Sequence, residues 1–273
     1  MHSLVGRERI VGLLIEHLQA GRSVLLTGEA GMGKTAILRA AWAQRTQQIR
    51  MLYCPQASTV KAILKSLAEE LCESSTNGST GKERICPFSA ETGTRFLSSR
   101  LSVRELRQFV LSALRSRPHA LLLDHVGWVR GAYSLFLEEL VDCVHVPIVA
   151  TVRSLDSNDN GRLWWIGWTF QNIVLRALSA REARKVIEDT LDRNGVSLPD
   201  REQFITELVR LAKGNPRMIV RICNMAHSVR YQISGRTDLR LLHLDLRLRD
   251  LQDRIDAESP NVSPEMTVAF ASD

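Results

Sequence analysis

A glycine-rich segment at residues 28–35, GEAGMGKT, carries the residue types and the spacing that bind phosphate. It matches the pattern G-x-x-x-x-G-K-[ST], whose glycines let backbone N–H groups converge on phosphate oxygens. Lys34 would place its charge on the β- and γ-phosphates of a nucleotide, and the Thr35 hydroxyl would bind Mg²⁺. The predicted cofactor-binding residues of this loop, of which Glu29 and Met32 fill free positions of the motif, are Gly28, Glu29, Ala30, Gly31, Met32, Gly33, Lys34, Thr35 and Ala36.

A candidate metal-side carboxylate ends the apolar run ALLLD at residues 120–124. A phosphate-binding loop of this kind needs such a carboxylate at the end of a neighbouring strand. Asp124 is therefore predicted to hold Mg²⁺ through water, together with Thr35. The alternative is an aspartate that only caps the following turn. His125 comes next, and its imidazole could accept a proton if it is neutral and well placed.

The elements that must position these residues alternate between strands and helices. Strands are predicted at 23–27, 49–55, 120–124, 146–153 and 172–178. Helices are predicted at 7–21, before the first strand, and between the strands at 36–45, 59–73, 102–117 and 131–144. Such alternation favours a parallel sheet with helices on both faces, which would bring the ends of the strands to one edge. The fold class is therefore α/β, with a phosphate-binding parallel sheet flanked by helices.

Three further helices follow the last strand, at 179–193, 200–214 and 216–235. Ser179 and Glu182 have the spacing of a capping box, and Asn215 precedes Pro216 as an N-cap residue. These helices predict a small helical domain that follows the sheet. The expected domains are 1–176, with a flexible insertion at 74–98, then 177–256, and a disordered tail at 257–273.

The charge, the cysteine content and the hydropathy of the sequence limit the partners, metal sites and cellular compartment that we expect. The 273 residues carry a net charge of +6, and 30 of the 36 basic residues are arginines. Arginine suits bidentate phosphate contacts, so the balance permits nucleic-acid binding without requiring it. The five cysteines are scattered without C-x-x-C spacing, which predicts reduced thiols and no zinc site. No apolar run is long enough for a membrane span and no signal peptide is evident, so we expect a cytoplasmic protein without membrane contact.

Several segments, in this order, resemble the AAA+ ATPases and the related signal-transduction ATPases with numerous domains. LVGRER (4–9) resembles the segment that holds adenine, and IVATVRS resembles the sensor-1 strand. LRALSAREARKVI resembles the entry to the helical lid, and KGNPRMI (213–219) resembles sensor 2. The match covers roughly residues 3–235, and the arginine after GNP is typical of initiator-like, transposition-associated and secretion-associated members. The resemblance implies ATP and Mg²⁺ as cofactors, ATP hydrolysis, and a lid formed by the helical domain.

The resemblance also assigns roles to individual residues. Val5 and Gly6 would contact adenine. Thr151 would be sensor 1, and Arg153 would also face the γ-phosphate. Arg217 would be the sensor-2 arginine and Arg162 an arginine finger acting in a neighbouring subunit; for these four the alternative is an ordinary polar or surface role. Trp164, Trp165 and Trp168 suit core or subunit-interface packing better than a base-stacking platform.

His125 departs from the family pattern. Members that hydrolyse ATP efficiently usually carry glutamate directly after the strand aspartate, where it polarises the attacking water. General acid–base help of this kind contributes ~10²–10⁴-fold. We therefore expect ATP–Mg²⁺ binding with slow hydrolysis, because positioning and electrostatic stabilisation remain.

The function predicted from these features is a nucleotide-dependent switch that assembles on DNA or with a DNA-processing partner, in a mobile-element or initiator-like role. Residues 201–236 contain seven Lys and Arg against two Asp and Glu, with Arg217, Arg221 and Arg230 on one predicted helix. DNA contact would be non-specific and made to the backbone. Self-association in the ATP state and a separate specificity-giving protein partner are expected. The alternatives are a regulatory ATPase that acts through protein contact and a nucleotide-binding scaffold with negligible hydrolysis.

Overall fold

The computed structural model describes residues 4–44, 49–76, 102–154, 161, 169–233 and 236–258. The chain divides into two compact units, with the boundary between Ala177 and Leu178. The first unit is a parallel sheet covered by helices, and the second is mainly helical. The predicted fold class is confirmed. The sequence placed the domain boundary between residues 176 and 177.

The first unit is built on five parallel strands in the order β2-β3-β4-β1-β5. Their bounds are β1 Val24–Thr27, β2 Arg50–Cys54, β3 His119–Leu123, β4 Ile148–Val152 and β5 Gln171–Val174. The register pairs Leu123 with Ala150 and Leu26 with Thr151. Since parallel strands end at the same edge, the segments that follow β1, β3 and β4 lie side by side there. This edge carries the candidate site.

Helices cover both faces of this sheet and explain why its central strands are buried throughout and mostly apolar. The helices are α1 Glu8–Gln19, α2 Lys34–Ala43, α3 Val60–Thr76, α4 Val103–Ser116 and α5 Ala132–Glu138, which continues as a π-helical turn over Glu139–Cys143. Leu121 and Leu123 pack with α3, α4 and α5, whereas Ala120 and Leu122 pack with α1 and α2. Alternate residues of a strand point to opposite faces, so both sets are buried. The predicted insertion at 74–98 lies outside the described residues except for the last turn of α3.

The second unit contains the three predicted helices and one more. Its helices are α6 Ala180–Arg193, α7 Arg201–Ala212, α8 Pro216–Met225 and α9 Leu239–Glu258. The capping box that begins α6 is confirmed, since Ser179 N–H donates to Glu182 and Glu182 N–H donates to the Ser179 hydroxyl. The N-cap of α8 is also confirmed, because the Asn215 side chain accepts a hydrogen bond from Met218 N–H at 3.2 Å.

The prediction of one helix over 216–235 is wrong. Helix α8 ends at Met225 and is followed by a 3₁₀ turn at Val229–Tyr231 and by two short antiparallel strands, β6 Gln232–Ile233 and β7 Arg236–Thr237. The side chain of Asp200 fixes β7, because it accepts hydrogen bonds from both the backbone N–H and the hydroxyl of Thr237. These hydrogen bonds offset the helical hydrogen bonds that are lost because α8 ends at Met225.

Helix α9 is absent from the sequence-based prediction. Its leucines recur at almost every second position over residues 239–248, which hides the helical period. Asp238 begins the helix by accepting hydrogen bonds from the N–H groups of Arg240 and Leu241. One face packs in the core of the second unit, whereas large apolar side chains on another remain more than half exposed: Leu244, Leu248, Leu251 and Ile255. None of the helices in the described ranges is long and apolar enough to cross a membrane.

Three cysteines in the described part of the chain are free thiols: Cys54, Cys72 and Cys223. Burial raises the pKa of the Cys54 thiol and raises the pKa of the Cys223 thiol to about 12. A thiol with a raised pKa carries little thiolate and is a poor nucleophile. These two residues therefore act as small apolar side chains of the two cores.

Two glycine substitutions should change stability in opposite directions. A Cβ at Gly127 would lie 2.9 Å from the carbonyl oxygen of Ser58, so Gly127→Ala must displace the loop after β3 and should cost ~1–3 kcal/mol. A Cβ at Gly12, inside α1, meets nothing within 4 Å, so Gly12→Ala should stabilise the protein by ~0.5–1 kcal/mol. Chemical denaturation of the two variants measures both values. If both substitutions changed the free energy of unfolding equally, the close approach of Gly127 to Ser58 would be wrong.

Candidate functional site

The predicted phosphate loop connects β1 to α2 in a conformation that depends on glycine. Gly31 and Gly33 have φ angles of 85° and 92°, which side chains strongly disfavour, and Gly33 directly precedes α2. The Lys34 Nζ donates hydrogen bonds to the carbonyl oxygens of Gly28 at 2.5 Å and of Glu29 at 2.9 Å. The loop thus curls around the ammonium group at the N-terminus of a helix, where a phosphate would meet backbone N–H groups.

The electrostatics of Lys34 connect the loop to the ends of the neighbouring strands. Burial lowers the pKa of Lys34, and the charge of Arg153 lowers it further, whereas the Asp124 carboxylate raises it. Arg153 follows β4 and Asp124 follows β3, so both charges act from the same edge of the sheet. A phosphate bound between Lys34 and Arg153 would offset the repulsion between these two cations.

Asp124 is almost completely buried, and both of its carboxylate oxygens accept hydrogen bonds. Its Oδ1 accepts from the Thr151 hydroxyl at 2.7 Å and from the His125 N–H at 3.0 Å. Its Oδ2 accepts from the Tyr53 hydroxyl at 3.2 Å. A buried carboxylate needs such partners, and donors from β2, from β4 and from the residue after Asp124 hold its orientation.

Tyr53 is a site residue that the sequence-based interpretation missed. It lies on β2, an edge strand, where the Glu70 carboxylate accepts hydrogen bonds from the Tyr53 N–H at 2.5 Å and from the Trp42 indole N–H at 2.9 Å. Burial is the main cause that raises the pKa of Tyr53. The phenol therefore stays neutral and donates a hydrogen bond to the Asp124 carboxylate. Only the strand order, which puts β2 beside β3, could have identified it.

His125 adopts a left-handed backbone conformation, with φ of 52°. Its N–H lies 3.0 Å from both Asp124 Oδ1 and the Thr151 hydroxyl oxygen, which hold this turn in place. The imidazole Nε2 lies 3.4 Å from the Thr35 hydroxyl and 3.7 Å from Asp124 Oδ2. The ring is about two-thirds exposed, yet it lies beside both residues that were predicted to bind metal.

The donor set fits the metal that the sequence implies. Thr35 and Asp124 offer oxygen atoms, and the described residues contain no group of three or more His, Cys, Asp or Glu side chains that could hold a metal ion. Mg²⁺ commonly binds through one or two protein oxygens together with phosphate oxygens and water. A site with few protein oxygens beside a phosphate loop therefore suits a nucleotide-bound Mg²⁺. It does not suit a metal held by protein ligands alone.

The remaining predicted residues that the structure describes lie in two places in the fold. Val5 is buried and Gly6 turns the chain directly before α1, where Arg7 donates to the carbonyl oxygen of Arg176 at 2.6 Å. Arg217 is exposed in the first turn of α8, within the second unit. Arg162 lies outside the described residues, as do the tryptophans Trp164, Trp165 and Trp168. The roles predicted for all of these residues stay predictions.

The arginines proposed to form one basic helix face do not do so. Arg230 lies in the 3₁₀ turn after α8 and pairs with Asp245 at 2.9 Å. Arg221 is on α8, but it forms an ion pair with Asp250. The early end of α8 and the unpredicted helix α9, which supplies both aspartates, explain the difference.

Removing the Thr151 hydroxyl should impair the site more than removing a comparable hydroxyl elsewhere. Thr151→Val leaves Asp124 with fewer donors and His125 with one acceptor less, so ATP turnover should fall by ~10²-fold through misplacement of the carboxylate. Thr190→Val is the matched control, because Thr190 is also buried and its hydroxyl donates to the Val186 carbonyl within α6. Steady-state turnover measures both. Equal turnover in the two variants would contradict a positioning role for Thr151.

Sequence comparison identifies a family for the first unit. The family model described as AAA ATPase domain matches residues 3–152, which is more than half of the chain. No curated protein matches the sequence. The matched range contains the phosphate loop, Asp124 and Thr151, and it ends just before Arg153.

Solved structures share the fold at low sequence identity. The Orc1 protein of Aeropyrum pernix, solved in complex with DNA, aligns with a TM-score of 0.62 and 19% identity over 93% of this chain and 68% of that chain. A Walker-type ATPase of Pyrococcus abyssi aligns with a TM-score of 0.58 and 17% identity over 93% and 77%. Cdc6p of Pyrobaculum aerophilum gives 0.58 and 18% over 90% and 69%. At these identities the likeness is one of fold.

Proposed function

Because this chain belongs to the AAA ATPase family, we propose that it is an ATP–Mg²⁺-dependent molecular switch that assembles on DNA or with a DNA-processing partner. The observation that carries the nucleotide part is the convergence of Lys34, Thr35 and Asp124 at one edge of the sheet. Phosphoryl transfer requires three parts: a loop that binds phosphate, a hydroxyl group and a carboxylate. The initiator-like or mobile-element role is the less direct part of the proposal.

The residues of the site would act as follows. The loop N–H groups and Lys34 bind the phosphates, and Thr35 with Asp124 holds Mg²⁺, which offsets phosphate charge when it is bound. Tyr53 and Thr151 keep the Asp124 carboxylate in place. Further proposed contacts are Val5 and Gly6 with adenine, Thr151 and Arg153 with the γ-phosphate, Arg217 as sensor 2 and Arg162 as arginine finger.

Hydrolysis by this site is proposed to be slow. His125 stands where efficient family members carry glutamate, and its Nε2 lies beside Thr35 and Asp124. A base for hydrolysis must instead reach the water that attacks the γ-phosphate. Without such a base, the bound ATP would persist, which suits a switch that stays in its ATP state for long periods.

Exposed cations in the second unit support contact with DNA. Several of these exposed cations form no ion pair with a carboxylate within the described ranges: Arg210, Lys213, Arg217 and Arg236. Lys213 and Arg217 flank the N-terminus of α8, where backbone N–H groups also favour a phosphate. Such contacts would be made to the DNA backbone, so binding should weaken steeply with salt.

Retention on duplex DNA as a function of salt tests this part. The double variant Lys213→Ala with Arg217→Ala should reduce the slope of log K against log salt by ~1 for each cation removed. Lys185→Ala with Arg193→Ala is the matched control, since it removes two exposed cations of α6. The DNA proposal is abandoned if the ATP-loaded wild-type chain is not retained at low salt. Sizing with and without ATP–Mg²⁺ and DNA reports assembly in the same samples.

The second candidate function is a regulatory ATPase that acts through protein contact, with self-association in the ATP state. The exposed apolar side chains of α9, which include Leu248 and Leu251, favour this alternative. Apolar side chains at this helical spacing are a common contact surface between helices. In sedimentation experiments with ATP, the wild-type chain should form a larger species. Leu248→Lys should abolish this species. The control variant Leu135→Lys, which changes an exposed leucine of α5, should retain it. A monomer in all samples would exclude self-association.

A further inference from the structure

We propose that a groove between α7 and α9, within the second unit, is the docking site for an acidic amphipathic helix of a protein partner. The groove has a volume of about 270 Å³. Its lining includes Glu207 and Leu211 of α7 and Leu239, Arg240, Leu244 and Arg247 of α9. The inference names the chemistry of the protein partner, and it rests on the proposed function only for the existence of that partner.

The apolar part of this groove continues along α9. Leu239 is buried, Leu211 is partly buried and Leu244 is 55% exposed. Further exposed apolar side chains follow Leu244 at intervals of four, three and four residues: Leu248, Leu251 and Ile255. One helix packs along another with this spacing. The α9 surface therefore suits a helical segment, whose own apolar side chains would enter the groove.

The cations of the groove favour a partner that is acidic. Arg240 and Arg247 are exposed, and neither forms an ion pair with a carboxylate within the described ranges. They lie seven residues apart, so two turns of α9 separate them by ~10 Å. A partner helix with carboxylates seven residues apart would meet both arginines. Apolar side chains between those carboxylates would cover Leu244.

The carboxylates near the groove leave these two arginines available to a partner. Asp245 and Asp250 of α9 each form ion pairs with other arginines of the second unit. Glu207 accepts a hydrogen bond from Gln203 at 2.9 Å, and no described ion pair joins it to either groove arginine. The exposed leucines beside the arginines favour a protein over DNA, because interfaces with DNA are more polar.

Fluorescence anisotropy of the full chain with two labelled, designed peptides tests the proposal. Both peptides are helices with leucines on one face. One has glutamates seven residues apart beside the leucines, and the other has lysines in those positions. The wild-type chain should bind the glutamate peptide ~10-fold more tightly than the lysine peptide at low salt, and added salt should reduce the difference. The double variant Arg240→Glu with Arg247→Glu should reverse the preference.

Two matched controls separate the groove from general effects of charge and hydropathy. Lys185→Glu with Arg193→Glu makes the same change in charge at two exposed cations of α6 and should keep the wild-type preference. Leu244→Ala should weaken binding of the glutamate peptide several-fold, because it removes an exposed apolar contact. Leu135→Ala, at an exposed leucine of the first unit, should leave that binding unchanged.

Several outcomes would overturn the proposal. One is equal binding of the two peptides by the wild-type chain, and another is an unchanged preference in the Arg240→Glu, Arg247→Glu variant. Displacement of the glutamate peptide by duplex DNA would make the groove a nucleic-acid surface instead. A dimer that the peptide dissociates would assign the groove to a second copy of this chain.

Binding of a fluorescent ATP analogue, measured on the same samples, tests the proposed function separately. If the analogue does not bind while the preference for the glutamate peptide holds, the ATP site fails and the groove stands. If the analogue binds and the preference is absent, the groove fails and the ATP site stands.

Discussion

Lys34→Ala is expected to reduce ATP turnover by ~10²-fold or more and to weaken ATP binding, because it removes the cation that the phosphate loop surrounds. Burial lowers the pKa of Lys34, and a bound phosphate would act in the opposite direction. Titration of a fluorescent ATP analogue and phosphate release measure the two effects separately.

Lys65→Ala is the matched control for this substitution. Lys65 lies on α3 with an exposed side chain, so its removal changes the net charge equally without touching the loop. We expect binding and turnover of this control to remain at the wild-type level. Turnover of Lys34→Ala at the wild-type level would contradict the role of this lysine. Tight ATP binding in that variant would contradict the proposed phosphate site.

His125→Glu is expected to raise Mg²⁺-dependent turnover by ~10²-fold, within the range that general base catalysis contributes. A carboxylate in this position would supply the group that efficient family members use to polarise the attacking water. Phosphate release in the presence of Mg²⁺, from wild type and variant, measures this change.

The backbone at this position needs its own control, because glutamate tolerates a left-handed conformation less well than histidine does. His145→Glu introduces the same residue at an exposed histidine with nearly the same φ, 53° against 52°. Its effect on the free energy of unfolding measures the conformational cost alone. A stable His125→Glu variant whose Mg²⁺-dependent turnover is unchanged would mean that His125 does not limit hydrolysis.

Local patterns allowed a large part of the site to be predicted. The phosphate loop is recognisable because its chemistry depends on glycines, lysine and threonine that are adjacent in the chain. The caps at Ser179 and Asn215 were predicted for the same reason, since a helix cap involves residues only three positions apart. Asp124 could be found because an apolar strand that ends in a carboxylate is also a local pattern.

Contacts between distant residues could not be predicted in this way. Tyr53 meets Asp124 only because β2 lies beside β3, and strand order does not appear in a single sequence. The early end of α8 was missed because its reason is a set of contacts with Asp200 and with α9, far along the chain. Propensity favoured a longer helix there, and the tertiary contacts overrode it.

The sequence by itself determined the phosphate loop, the apolar strand before Asp124 and the alternation that builds a parallel sheet, since these depend on residues close together in the chain. Only the tertiary structure decided what surrounds Asp124 and where His125 points. The strand order brings Tyr53 and Thr151 to the carboxylate, and the left-handed turn places the imidazole 3.4 Å from the Thr35 hydroxyl. The physical reason is that the hydrogen bonds from Thr151, Tyr53 and Thr35 to this turn join residues that lie 27, 71 and 90 positions apart in the chain.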